Sequence, residues 1–344
     1  MTMILATLLL ATAPVAEAPP VQPVEVPLTF RTFRSWDVSL PDERFQPLGE
    51  RLPLFGTDGL AVEVNERGLA FDRDGDGTMD ATVAPPTEDH PTRLLTFQLT
   101  TPEGPRAFAV RVANQGRWVF APAGAVEGRV GTTRFLVFDQ DGNGRFDDYG
   151  VDAMIVGRGK AAGFLSRTIH VDGTLMDFAI TPGGSTATLT PHQGPTGSLD
   201  LGTGLETKAK LRSVVLLDAE HGNSFELSGG LDAPVAVPAG SYTLVSGELV
   251  LGKSHATIDT GRAAPIEVPV DGRVQVAWGG PVTAEFTYVR QGGQVEVGPA
   301  DVTYFGRAGE RYADFLPLGS SPEFTVKDRV TGEVLVDFVF PGNC

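Results

Sequence analysis

Apolar side chains recur at every second position over short stretches of this chain, and turn residues interrupt them before a longer pattern develops. Leu95, Phe97 and Leu99 alternate with Thr96, Gln98 and Thr100; Thr101-Pro102-Glu103-Gly104-Pro105 then turns the chain, and Phe108, Val110 and Val112 alternate with Ala109 and Arg111. A period of two buries one face of each segment and leaves the other wet, so the two runs predict a β-hairpin. The same grammar predicts that residues 282–288 turn through Gln291-Gly292-Gly293-Gln294 into Val295-Glu296-Val297, and that Phe324-Thr325-Val326 turns at Thr331-Gly332 into Val334-Leu335-Val336. No ten-residue window offers convincing 3.6-residue periodicity without a Gly or Pro interrupting it. Short strands at regular spacing predict an all-β fold of tandem β-sandwich-type domains.

At 344 residues the chain has room for about two domains. A stretch rich in small and turn-forming residues, 192–204, suggests a boundary near residue 200. The organisation expected is a β domain over 26–200, or two small modules within it, followed by an immunoglobulin-like β-sandwich over 201–344. The 42 glycines and 26 prolines are scattered, which excludes a collagen repeat and fits turn punctuation.

The first residues change the picture. An apolar run from Met3 to Leu10 leads to Ala16-Glu17-Ala18, the pattern of a secretory signal over 1–18 with an A-x-A cleavage site, although the first thirty residues hold no Lys or Arg. A Pro-rich spacer over 19–25 follows. The apolar run is too short to span a membrane, so the expected location is secreted, periplasmic or cell-surface. The formal charge of −16 argues against nucleic acid and anionic membranes as partners. The single cysteine, Cys344, excludes an intrachain disulfide.

Two acidic stretches carry the candidate chemistry. FDRDGDGTMD at 71–80 aligns without a gap with FDQDGNGRFD at 138–147. Side-chain oxygens at alternate positions converge on a hard cation: Asp72, Asp74 and Asp76 in the first stretch, and Asp139, Asp141 and Asn143 in the second. Gly77 and Gly144 follow where the backbone must turn with positive φ. Thr78 and Arg145 would offer only a carbonyl. Met79 and Phe146 are apolar and would anchor the loops on the core, and Asp80 and Asp147 would ligate directly or through water.

These stretches resemble the calcium loops of EF-hands and dockerins, and more broadly DxDxDG loops outside helix-loop-helix settings. The resemblance implies calcium as the ion. It fails where EF-hands place a bidentate carboxylate, because Val83 and Gly150 stand there. Glu88 and Asp89 lie several residues beyond the first loop; beyond the second come Asp148 and Asp152, and Asp152 could swing in from the following strand. The second site is therefore expected to be the stronger. With no His or Cys in either loop, zinc is disfavoured. Strand-like sequence brackets both loops, so an ion here would tie strand ends together, in place of the disulfides the chain lacks.

Further along, Val235-Ala236-Val237-Pro238-Ala239-Gly240-Ser241-Tyr242-Thr243-Leu244 resembles the PxGxYxL segment of immunoglobulin-like and transthyretin-like modules, which implies a stabilising, spacing or binding role. The five histidines show no metal-ligand spacing, and no nucleophile elbow or phosphate loop is present. His170 and the turn Glu220-His221-Gly222-Asn223 are read as structural, and Trp36, Trp118 and Trp278 as core. The expected function is an exported, calcium-stabilised structural or adhesive protein at the cell surface, in the periplasm or outside the cell, without catalytic activity. Its expected partner is an extracellular polymer or a surface protein. An extracellular polymer hydrolase with a structural calcium and a carbohydrate-binding module are the alternatives.

Overall fold

The computed structural model describes residues 22–54, 56–101, 104–292, 294–296, 298–315 and 323–339. The segment 1–18, expected to be a secretory signal, and Cys344 lie outside the described residues. Among those described, the fold is nearly all β, with the 3₁₀ turn Pro299–Asp301 as its helical element. No helix there is long and apolar enough to cross a membrane.

The alternating hairpin forms as the pattern predicts. Arg93–Thr101 pairs with Gly104–Asn114 in antiparallel register, burying Leu95, Phe97 and Leu99 while Thr96 and Gln98 face solvent. With Trp118–Pro122 and Gln46–Pro47 these strands make one sheet. A second sheet, Arg51–Leu52, Leu60–Asn65, Gly68–Phe71 and Ala81–Val83, packs on it through Leu52, Leu69, Phe71, Phe97, Val112 and Phe120.

The next unit borrows the beginning of the chain. Val24–Pro27, which reaches into the segment expected as a spacer, pairs with Thr186–Pro191, and Thr29–Thr32 pairs with Gly124–Val130. The central strand Thr133–Phe138 reads as a continuous apolar run because both of its faces are covered. Phe135 and Val137 join Ile169, Phe178 and Leu189 on one side; Leu136 and Phe138 join Phe33 and Leu40 on the other. Residues 33–45 thus form a strap over the outer face before the chain enters the first unit.

The C-terminal unit has its own core, including Leu199, Val214, Phe225, Tyr242, Ile258 and Trp278. In the Pro-x-Gly segment, Tyr242 and Leu244 point to the same buried side, and the Tyr242 hydroxyl donates to the Pro238 carbonyl at 2.9 Å. Thr196–Asp200 pairs with Val235–Pro238 and Arg273–Gln275, so this core begins before residue 200.

One pairing differs from expectation. Thr283–Phe286 pairs with Val302–Phe305, while Val289–Gln291 and Gln294–Glu296 form a separate small hairpin. The alternation in 282–288 carries no information about its partner: all four residues of Thr283–Phe286 are exposed, so no buried face fixed the register. The last hairpin, Glu323–Lys327 with Val334–Val339, pairs as the turn at 331–332 predicts.

Candidate metal centre

The second acidic loop begins where the buried strand Thr133–Phe138 ends. Its register with Ala153–Val156 sets Phe138 opposite Ala153, so the next positions outward are Asp139 and Asp152. Both carboxylates are buried. Asp139 shapes the turn itself: its Oδ1 accepts the N–H of Asn143 at 3.0 Å and its Oδ2 accepts the N–H of Gly144 at 2.8 Å. Gly144 takes φ +86°, a conformation that an L side chain rarely adopts. Asp152 accepts the N–H groups of Gln140 and Asp148, each at 3.1 Å. Oxygens of Asp139, Asp141 and Asp152 all lie within 4.8 Å of one another.

Such an arrangement is electrostatically costly. Burial, then the neighbouring Asp139, pushes the Asp152 carboxyl up to about 9. Burial outweighs the bond from Gly144 and, with Asp141 close by, takes Asp139 to about 8. Like charges drawn together away from water favour either a proton or a cation. The donor set is all oxygen, which fits a hard cation and not a thiophilic one.

Asn143 turns its Nδ2 toward Asp141 at 3.0 Å and Asp148 at 2.7 Å, while its Oδ1 accepts the Arg145 N–H at 2.8 Å. Asp147 stands outside the trio and takes a two-pronged pair from Arg145 at 3.0 and 2.9 Å.

The first loop repeats the turn. Asp72, buried, accepts from the N–H groups of Gly75, Asp76 and Gly77 at 2.8, 3.2 and 2.8 Å. Gly77 has φ +90°. Oxygens of Asp72, Asp74 and Asp76 gather within 4.8 Å, but Asp74 and Asp76 are exposed. Thr78, also exposed, donates its N–H to Asp76 at 2.7 Å. Here the return strand comes sooner. Phe71 pairs with Ala81, so Asp80 stands opposite Asp72 and accepts the Arg73 N–H at 3.0 Å. The Arg73 guanidinium reaches the same carboxylate at 3.7 Å.

The apolar anchors part company. Phe146 is buried in the core of its unit, its N–H on the Pro182 carbonyl at 3.0 Å. Met79, expected to anchor the first loop, is instead exposed, although the loop touches the strand Arg93–Thr101, where the Gln98 N–H donates to the Arg73 carbonyl at 3.2 Å. Both trios could hold a metal ion.

Sequence reasoning missed Gln140, which is buried and bonded on three sides. Its signal was the contrast at the second loop position, where the first loop carries an exposed arginine. Elsewhere, His221 Nδ1 lies 2.8 Å from Asp218 Oδ2 and closes the turn before Asn223–Glu226. His170 Nε2 lies 2.8 Å from the Ala236 carbonyl, joining two units. Trp118 and Trp278 are buried, and Trp36 packs beside Phe33 and Phe138. No known family, curated protein or solved structure matches the chain.

Proposed function

We propose that the chain binds calcium at both acidic loops and uses the ions as staples for strand ends, in an exported structural or adhesive β protein without catalytic activity. The observation that carries this reading is the trio Asp139, Asp141 and Asp152, which gathers carboxylate oxygens from both sides of a strand pair, two of the three groups buried. Asn143 and the Arg145 carbonyl complete the expected donors there. Asp72, Asp74 and Asp76, with the Thr78 carbonyl and Asp80, would serve the first site. A bound calcium supplies the positive charge that lets these carboxylates stay ionised side by side.

Calcium suits the sites better than its rivals. Zinc favours His and Cys ligands, and magnesium demands a tighter octahedron than a flexible loop offers. At calcium near one hundred times Kd, each filled site adds about 2.7 kcal/mol to folding. A disulfide is worth about 2–4 kcal/mol. Export is supported by the first eighteen residues, and the staple role by the lack of any intrachain disulfide.

Equilibrium dialysis against calcium, with magnesium present in excess, tests the proposal. Two calcium ions per chain are expected; a single ion would overturn the claim for one of the loops, and none would overturn the proposal.

A further inference from the structure

We propose that the second loop is also a junction: a cation held there seats residues 40–45 of the strap and so fixes the first unit to the second. The inference rests on the reading of this loop as a calcium site.

The residues on either side of Asp139 do the coupling. Phe138 packs its ring against Phe33 at 5.7 Å and Trp36 at 5.9 Å between centroids. Gln140 spends every polar atom of its side chain on the junction. Its Oε1 accepts the Asp42 N–H at 3.2 Å, and its Nε2 donates to the Val151 carbonyl at 2.7 Å. Its own N–H is held by Asp152. The carboxylate expected to ligate the ion therefore positions the residue that holds the strap.

The strap in turn grips the first unit. The Arg111 guanidinium stacks over Trp36 at 3.8 Å, pairs with Glu43 and donates to the Pro122 carbonyl at 3.0 Å. Trp36 Nε1 donates to Glu43 at 3.1 Å. The loop also meets that unit directly, since a Cβ on Gly142 would come within 2.8 Å of the Phe120 ring. At the first loop, a Cβ on the aligned Gly75 would come within 3.3 Å of Leu99, a residue of that loop's own unit, so that contact joins no second unit.

Asp139 and Asp152 cannot both stay ionised side by side without a counter-charge, and any shift of Asp152 that relieves their repulsion moves the carboxylate that anchors Gln140. A cation removes that repulsion and stabilises the Asp152–Gln140–Asp42 chain. Ser39 is an internal control. Its N–H donates to the Lys160 carbonyl and its carbonyl accepts from Ala162, both at 2.9 Å and both independent of the loop.

Hydrogen exchange read by mass spectrometry on the full chain, in calcium and in excess EGTA, tests the junction. Calcium should slow exchange over residues 40–45 by about tenfold, within the usual range of coupling between sites, and leave the Ser39 amide nearly unchanged. Gln140→Ala, which keeps every carboxylate, should still bind calcium by dialysis but lose most of the strap's protection. Protection of 138–152 without any change in 40–45 would overturn the junction and leave the calcium reading standing. Protection of neither segment would overturn both. Full strap protection in Gln140→Ala would also refute the coupling argued here.

Discussion

Asp152 in the second loop takes the place that Asp80 holds in the first: each stands across the strand pair from its loop's first aspartate and accepts the N–H of the loop's second residue, Gln140 or Arg73. The two loops align residue for residue, yet different carboxylates close them, because the second return strand starts later. Asp152 is buried and joins its trio, whereas Asp80 stays at the surface beside Arg73. This difference accounts for the expected ranking of the sites.

Replacing Asp152 should therefore cripple the stronger site. In Asp152→Asn, calcium affinity at the second loop should fall on the order of tenfold or more, since ligand charge sets affinity in such loops. Calorimetric titration would read this directly. The calcium-minus-EGTA difference in Tm should shrink with it, whatever the variant loses through its bond to Asp148.

Arg73 would compete with a cation held at the first loop, since its guanidinium reaches Asp80. An exposed pair of this kind contributes about 0.2–1 kcal/mol. Arg73→Gln should thus tighten the first site by roughly 1.4- to fivefold and leave the second unchanged. A calcium titration in the Asp152→Asn background isolates the effect, and an unchanged or weaker first site would contradict it.

The spacing of the aspartates and the strand alternation at 95–99 were readable because both are local. A turn built by Asp72 or Asp139 on its own N–H groups needs nothing from elsewhere in the chain. Asp152 could be named but not placed, since its position depends on the register between Phe138 and Ala153. Gln140, Asp42 and the strap were invisible, because a polar residue's burial is decided by what packs over it. For the same reason Met79 and Phe146, equivalent in the alignment, meet different fates.

That divergence has an energetic signature. Phe146→Ala should cost about 3–5 kcal/mol, the usual range for a buried aromatic. Met79→Ala should stay within about 0.5 kcal/mol, as surface changes do. Urea unfolding of both variants in EGTA measures the two without a contribution from calcium.

His170 makes one junction sensitive to acid. Burial lowers its folded pKa below the usual histidine value, outweighing the bond to Ala236 that acts the other way. The unfolded chain therefore takes up the proton first. Its contribution to stability is present above about 6.5 and is lost as pH falls through the folded value. In His170→Gln, the decline in Tm between pH 7 and pH 5 should be shallower, by no more than about 1.4 kcal/mol per pH unit. An identical decline in both proteins would remove His170 from the account.

The most direct measurement is the melting temperature of the chain in millimolar calcium and in excess EGTA, beside the variant Asp139→Ala/Asp141→Ala. The account predicts a rise in calcium corresponding to about 2.7 kcal/mol for each site held near one hundred times Kd, with the second loop's share missing in the variant. An unchanged melting temperature in the native chain would contradict the staple and leave the buried pair Asp139 and Asp152 without the cation proposed for it.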